Sequence, residues 1–119
     1  QENMIRNILH TPGLRAVVLK TYGSGNAPQK PWFIDLLKEA TDRGIVIINI
    51  SQCSTGSVEM GRYETGLHLL DAGVISGYDS TVASVLTKLM FLLGHGKNES
   101  EIRHQMSIPV AGEFTIPTM

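Results

Sequence analysis

Cysteine is almost absent from this chain: Cys53 is the single one in 119 residues. With no second thiol in the sequence it cannot close an intrachain disulfide, which excludes a disulfide-stapled scaffold and favours a reducing, cytoplasmic compartment. Charge of one sign is also missing. Ten basic and 11 acidic residues leave a net charge of −1, and neither sign gathers into a run. Nothing here would follow a phosphate backbone or an anionic bilayer, so neither nucleic acid nor membrane is expected as a partner. No stretch reaches the roughly 18 consecutive apolar residues of a spanning helix, and no charged-then-apolar leader opens the sequence. Metal-ligand spacing is lacking as well. His10, His68, His95 and His104 stand singly, with no H-x-x-x-H or Cys-His pattern, so neither metal nor cofactor is expected.

What remains is an ordinary globular composition, 42% apolar and 18% charged, of a size for one domain spanning residues 1–119. The sequence opens on Gln1-Glu2-Asn3 and continues like the middle of a fold, so the expectation is a domain cut from a longer polypeptide. Ile5, Ile8 and Leu9 recur at helical spacing before Thr11-Pro12-Gly13 breaks the pattern. Leu14 to Leu19 is a valine-rich run without alternation, the mark of a strand covered on both faces, and is expected to be the central strand. Pro31 suits a first helical position, Ile34, Leu37 and Ala40 share a face, and Gly44 supplies a stop. Ile45 to Ile50, I-V-I-I-N-I, is a second buried strand interrupted only by Asn49.

Farther on the signals weaken and then recover. Tyr63 to Leu70 has weak helical character ended by Asp71-Ala72-Gly73, and Val74 to Gly77 suits a short edge strand. Asp79 or Ser80 is placed to cap a helix with Val82, Val85, Leu86, Leu89 and Leu93 on one face, Phe91 and Leu92 lying off it. That helix is apolar nearly all round at its end, which calls for a second layer or another subunit over it. Asn98 and Glu101 form a capping box for a last helix carrying Ile102 and Met106, stopped by Pro109. From Ile108 onward the tail reads as irregular. Buried strands alternating with amphipathic helices predict an α/β fold: a three-layer α/β/α domain on a mostly parallel, roughly four-stranded sheet, flavodoxin- or Rossmann-like.

In such sheets ligands gather beyond the carboxyl ends of the strands, where both glycine-bearing turns of this chain fall, after Leu19 and after Ile50. Gly23-Ser24-Gly25 has the start of a dinucleotide loop, but the third glycine is missing, proline stands at 28, and no acidic residue closes the next strand. Nucleotide binding is set aside. Lys20, Thr21, Tyr22, Ser24 and Asn26 put a cation, hydroxyls and an amide beside free backbone donors, a set for a small zwitterion or carboxylate. Asn26 serves equally well as a turn residue bonding its own loop. Cys53 has no base near it in sequence, and Glu64 reads as a helix-start carboxylate that complements the dipole. From the residues alone the chain offers a polar edge and no reaction.

Three stretches taken together say more: Y-G-S-G-N-A-P at Tyr22 to Pro28, A-T-D-R-G-I-V-I-I-N-I-S-Q-C at Ala40 to Cys53, and S-T-G-S-V-E-M-G-R-Y at Ser54 to Tyr63. With A-G-V-I at Ala72 to Ile75 and T-V-A-S-V-L-T-K-L at Thr81 to Leu89, the chain resembles the C-terminal domain of type I, cytoplasmic L-asparaginases over residues 12–107. The resemblance implies an amidohydrolase that converts L-asparagine and water to L-aspartate and ammonia. Its catalytic threonines, aspartate and lysine would lie in a larger N-terminal domain absent from these residues, leaving no catalytic residue in the fragment.

It also implies homodimers or homotetramers in which this domain lends residues to the neighbouring subunit's active site, at positions matched by Asn26 and Tyr63. Secreted type II enzymes have a second asparagine where Pro28 stands and a glutamate near Tyr63, so their pattern does not transfer. Type I members can carry an allosteric asparagine site, matched here by Lys20, Thr21, Asn26, Ser51 and Cys53. Lysine at 20 replaces the family's arginine and lacks its bidentate grip on a carboxylate. The alternatives are a non-catalytic module that binds a small amino acid and a purely structural oligomerisation domain.

Overall fold

In a computed structural model, which describes residues 1–22, 30–52, 68–77 and 80–108, the two β-branched runs become adjacent parallel strands. β1 (Ala16–Tyr22) pairs with β2 (Val46–Gln52) from Ala16↔Val46 to Tyr22↔Gln52. The two-residue β3 (Ile75–Ser76) adds to the far side of β2, through Ile48↔Ile75 and Asn49↔Ser76. The described sheet is thus three-stranded, in the order β1-β2-β3, where about four strands were expected. The centre is β2, which corrects the expectation for Leu14 to Leu19. The valine-rich run of β1 signals apolar cover, not position: Val17 and Val18 stay partly exposed while Ile47 and Ile48 are 0% exposed.

Strand alternation divides the apolar residues between two cores. Ile45 and Ile47 face α1 (Glu2–Leu9) and α2 (Pro31–Asp42), packing with Leu9, Phe33, Leu37 and Ala40. Val46, Ile48 and Ile50 face α3 (Val82–Gly94) and α4 (Glu99–Met106), packing with Val85, Leu89, Leu92, Ile102 and Met106. The result is the three-layer α/β/α arrangement that βαβ connections impose. Helix α2 starts at Pro31, as predicted, and stops where Gly44 takes φ +98°. Its Arg43 Nη2 donates to Leu9 O at 3.0 Å, tying α2 to the end of α1.

Two details of α3 differ from expectation. Its N-cap is Thr81, whose Oγ1 accepts from Ser84 N at 3.0 Å; Ser80 instead donates its N–H to Gly77 O in a turn, and Asp79 lies outside the described residues. Leu92 is buried with Val85 and Leu89, completing an i, i+4, i+7 stripe, whereas Leu86 is 42% exposed. The predicted helix at 63–70 is described only from residue 68, and the tail beyond 108 is likewise outside the described residues.

The capping box of α4 forms as its sequence requires. Glu101 N–H donates to Asn98 Oδ1 at 2.8 Å and Asn98 N–H to Glu101 Oε1 at 2.9 Å. Asn98→Ala is expected to cost about 1 kcal/mol of unfolding free energy, read from the urea midpoint. Ser107→Ala, at the other end of the same helix, should change it by less. An Asn98→Ala midpoint equal to wild type would mean that α4 is held by Ile102 and Met106 alone.

Candidate binding site at the carboxyl edge of the sheet

The carboxyl ends of the strands form a stepped edge. β3 stops at Ser76, level with Asn49, while β2 continues to Gln52, about 10 Å farther at a strand's rise per residue. Directly after β3 the chain tucks against β2. Gly77 N–H donates to Asn49 O at 2.7 Å, and a Cβ on Gly77 would lie 3.1 Å from Ile48 Cγ2 and 3.2 Å from Asn49 O. Glycine is needed there for closeness of approach.

On the upper part of the step the strands bring together some of the residues expected to bind a ligand. Lys20 and Thr21 are consecutive on β1, and Ser51 takes the register position opposite Thr21. Alternation sends Lys20 to the α3/α4 side, with Ala16 and Val18, and Thr21 to the α1/α2 side, with Val17 and Leu19. Lys20 is exposed and Thr21 is 5% exposed, the buried polar residue of the described core. A ligand meeting both groups therefore has to sit over the strand end, not against one face. Asn26, Cys53 and Tyr63 lie outside the described residues.

Sequence reasoning passed over Asn49 as a site residue, although it is the one polar interruption of I-V-I-I-N-I. Alternation places it on the same side as Ile47 and Thr21. Its Oδ1 is closed off from solvent and accepts no hydrogen bond. An interior acceptor left without a donor costs roughly 1–3 kcal/mol, so Asn49 stands in the strand at a local expense.

Elsewhere among the described residues the surface offers less. A shallow cleft of about 260 Å³ beside β3 is lined by Leu70, Val74, Ile75, Ser76, Arg103 and Ser107, but Arg103 Nη2 is engaged in donating to Gly73 O at 2.9 Å. On α3, Met90 and Phe91 are 69% and 59% exposed, and the Phe91 ring lies 4.1 Å from that of His95. Among the described residues no group of three or more His, Cys, Asp or Glu gathers to hold a metal ion. No described helix is long and apolar enough to cross a membrane.

This edge and its flanking motifs are those of a known family. The sequence profile described as Glutaminase/Asparaginase C-terminal domain matches residues 1–106. The chain belongs to that family. It is 48% identical to L-asparaginase 1 of Escherichia coli (strain K12) over 113 residues, which is 95% of this chain and 33% of the relative. It is 38% identical to the human 60 kDa lysophospholipase over 117 residues, 98% of this chain and 20% of that one. Among solved structures, L-asparaginase I from Vibrio cholerae superposes with a TM-score of 0.76 at 44% identity, over 91% of this chain and 32% of that one. The asparaginase C-terminal domain described here thus spans about a third of the length of the Escherichia coli and Vibrio cholerae L-asparaginases.

Proposed function

We propose that this domain belongs to a longer cytoplasmic enzyme that hydrolyses L-asparagine to L-aspartate and ammonia. The observation that carries the reading is the identity of 48% over 95% of the chain to an L-asparaginase, with the polar edge held at the carboxyl ends of a parallel sheet. The nucleophilic threonine belongs to a preceding domain, and this domain supplies the wall that closes the site of a neighbouring subunit, through Asn26 and Tyr63. The exposed Leu86, Met90 and Phe91 of α3 suit the apolar centre of a subunit contact. Lys20, Thr21, Asn26, Ser51 and Cys53 form an effector pocket for asparagine, Lys20 meeting its carboxylate as a point charge.

Ammonia release from L-asparagine by the protein as its gene encodes it tests the reaction. Asn26→Ala in that protein should lower kcat/KM by roughly 10- to 100-fold, the worth of one hydrogen bond to a charged substrate group. Unchanged kinetics would remove Asn26 from the site. Binding of asparagine with no ammonia released would leave a non-catalytic amino-acid-binding module in place of the enzyme.

A further inference from the structure

The buried, unpartnered Oδ1 of Asn49 is the feature that neither the fold nor the site residues above account for. Val46, Ile47, Ile48 and Ile50 around it on β2 are each buried to within 1%. An apolar side chain at 49 would continue that pattern. The main chain there is fully used: Asn49 sits in the ladder opposite Leu19 and Ser76, and its carbonyl takes the Gly77 N–H. The polar group is therefore not needed to hold the strand. It stands at the inner corner of the step, where β3 ends and β2 runs on, on the same side as the buried Thr21. Asn49 as a whole remains partly exposed even though Oδ1 is shielded.

We propose that Asn49 reads the carboxamide of a small amino-acid ligand at this corner, selecting an amide over the corresponding acid; the inference rests on the asparagine-binding edge proposed above. To meet a ligand the amide turns out from the interior by rotation about χ1, for which two wells are common in strands. There Oδ1 accepts an N–H and Nδ2 donates to a C=O, the reciprocal pair that a primary carboxamide completes. A carboxylate offers acceptors only and leaves Oδ1 without a donor. Oδ1 accepts no hydrogen bond from the chain, so engaging it breaks no existing side-chain bond.

The test uses the protein as its gene encodes it, wild type and Asn49→Leu, with binding of L-asparagine and L-aspartate read separately from the rise in melting temperature each gives and melting also followed without ligand. Wild type should bind asparagine more tightly than aspartate. The leucine variant should lose on the order of tenfold in asparagine affinity, with aspartate little changed, and melt at the same or a higher temperature. An asparagine-to-aspartate ratio indifferent to the substitution overturns the proposal. So does a wild type that binds neither ligand, and so does a ligand-free melting temperature that falls in the variant, which would assign Oδ1 a partner within the chain. A ratio set by Asn49 in a protein that releases no ammonia keeps this inference and removes the hydrolase. Ammonia release with a ratio untouched by Asn49→Leu does the reverse.

Discussion

Gly73→Ala is expected to lower the unfolding free energy by about 3 kcal/mol, far more than one added methyl group normally does. Gly73 holds φ at +89°, where an L side chain costs about 1 kcal/mol. Its new Cβ would also lie 2.7 Å from Thr41 Oγ1 and 3.1 Å from Thr41 Cβ. Thr41 is not free to turn aside, because Oγ1 donates to Ala72 O at 2.6 Å and lies 3.0 Å from Lys38 O. Relieving the clash breaks that link between α2 and the 68–73 segment, worth about another 1 kcal/mol, and the remainder is overpacking. The Gly73 carbonyl also receives Arg103, so the strain spreads to α4. Gly44 provides the control: its φ is +98°, yet a Cβ there meets only the end of the Glu99 side chain, Oε1 at 3.4 Å and Cδ at 3.8 Å. Gly44→Ala should lose about 1 kcal/mol, for backbone strain alone. Urea midpoints at constant slope measure both, and equal losses would show that the Thr41 contact carries nothing.

Those two glycines also mark what was readable beforehand. Each follows a helical pattern at the place where it must stop, and each was assigned its stop from the sequence. The capping box at Asn98 and Glu101 was likewise legible, because both of its bonds join residues three apart. Strand order was not. The β1 run looked central because its valines report apolar cover on two faces, and cover comes from helices whose packing no local spacing specifies. Leu92 was misplaced for a related reason: on a helix apolar nearly all round, the stripe that faces the sheet is chosen by the partners Ile48 and Ile102, not by the helix itself. At the site, the carboxyl edge followed from alternating strands and helices. The opposite facing of Lys20 and Thr21 follows from strand period alone, while the isolation of Asn49 depends on how the layers pack around it.

The same division explains why the edge carries its chemistry on few residues. β2 projects past β3, so beyond Asn49 its described sheet neighbour is β1 alone, and the ends of both strands turn polar. Polar residues accordingly begin at Asn49 on β2 and at Lys20 on β1. Leu19 immediately precedes Lys20 on β1 and Ile50 immediately precedes Ser51 on β2, one in each core, with Asn49 set inside the apolar run of β2. Substitutions below that line are expected to act through stability, and substitutions above it through binding.

Ile48→Ala is the sharpest trial of that line from below, with an expected loss of about 3 to 4 kcal/mol. Ile48 is 0% exposed at the middle of the central strand, between Val18 of β1 and Ile75 of β3. It belongs to the cluster of Val85, Leu89, Ile102 and Met106, so a cavity there opens against two helices at once. It also stands beneath Gly77, whose N–H is held 2.7 Å from Asn49 O. Against a total stability of roughly 5 to 15 kcal/mol for a domain, the loss is a large fraction. Ile48→Val should lose about 1 kcal/mol and Leu86→Ala, on the exposed side of α3, less than that. Amide exchange separates cavity from mere destabilisation. If Ile48 props the step, the Gly77 amide of Ile48→Ala loses protection by more than the global loss accounts for, while in Leu86→Ala it follows global stability. Identical behaviour of that amide in the two variants, once corrected for stability, would show that the step is set by the backbone ladder and not by the side chain beneath it.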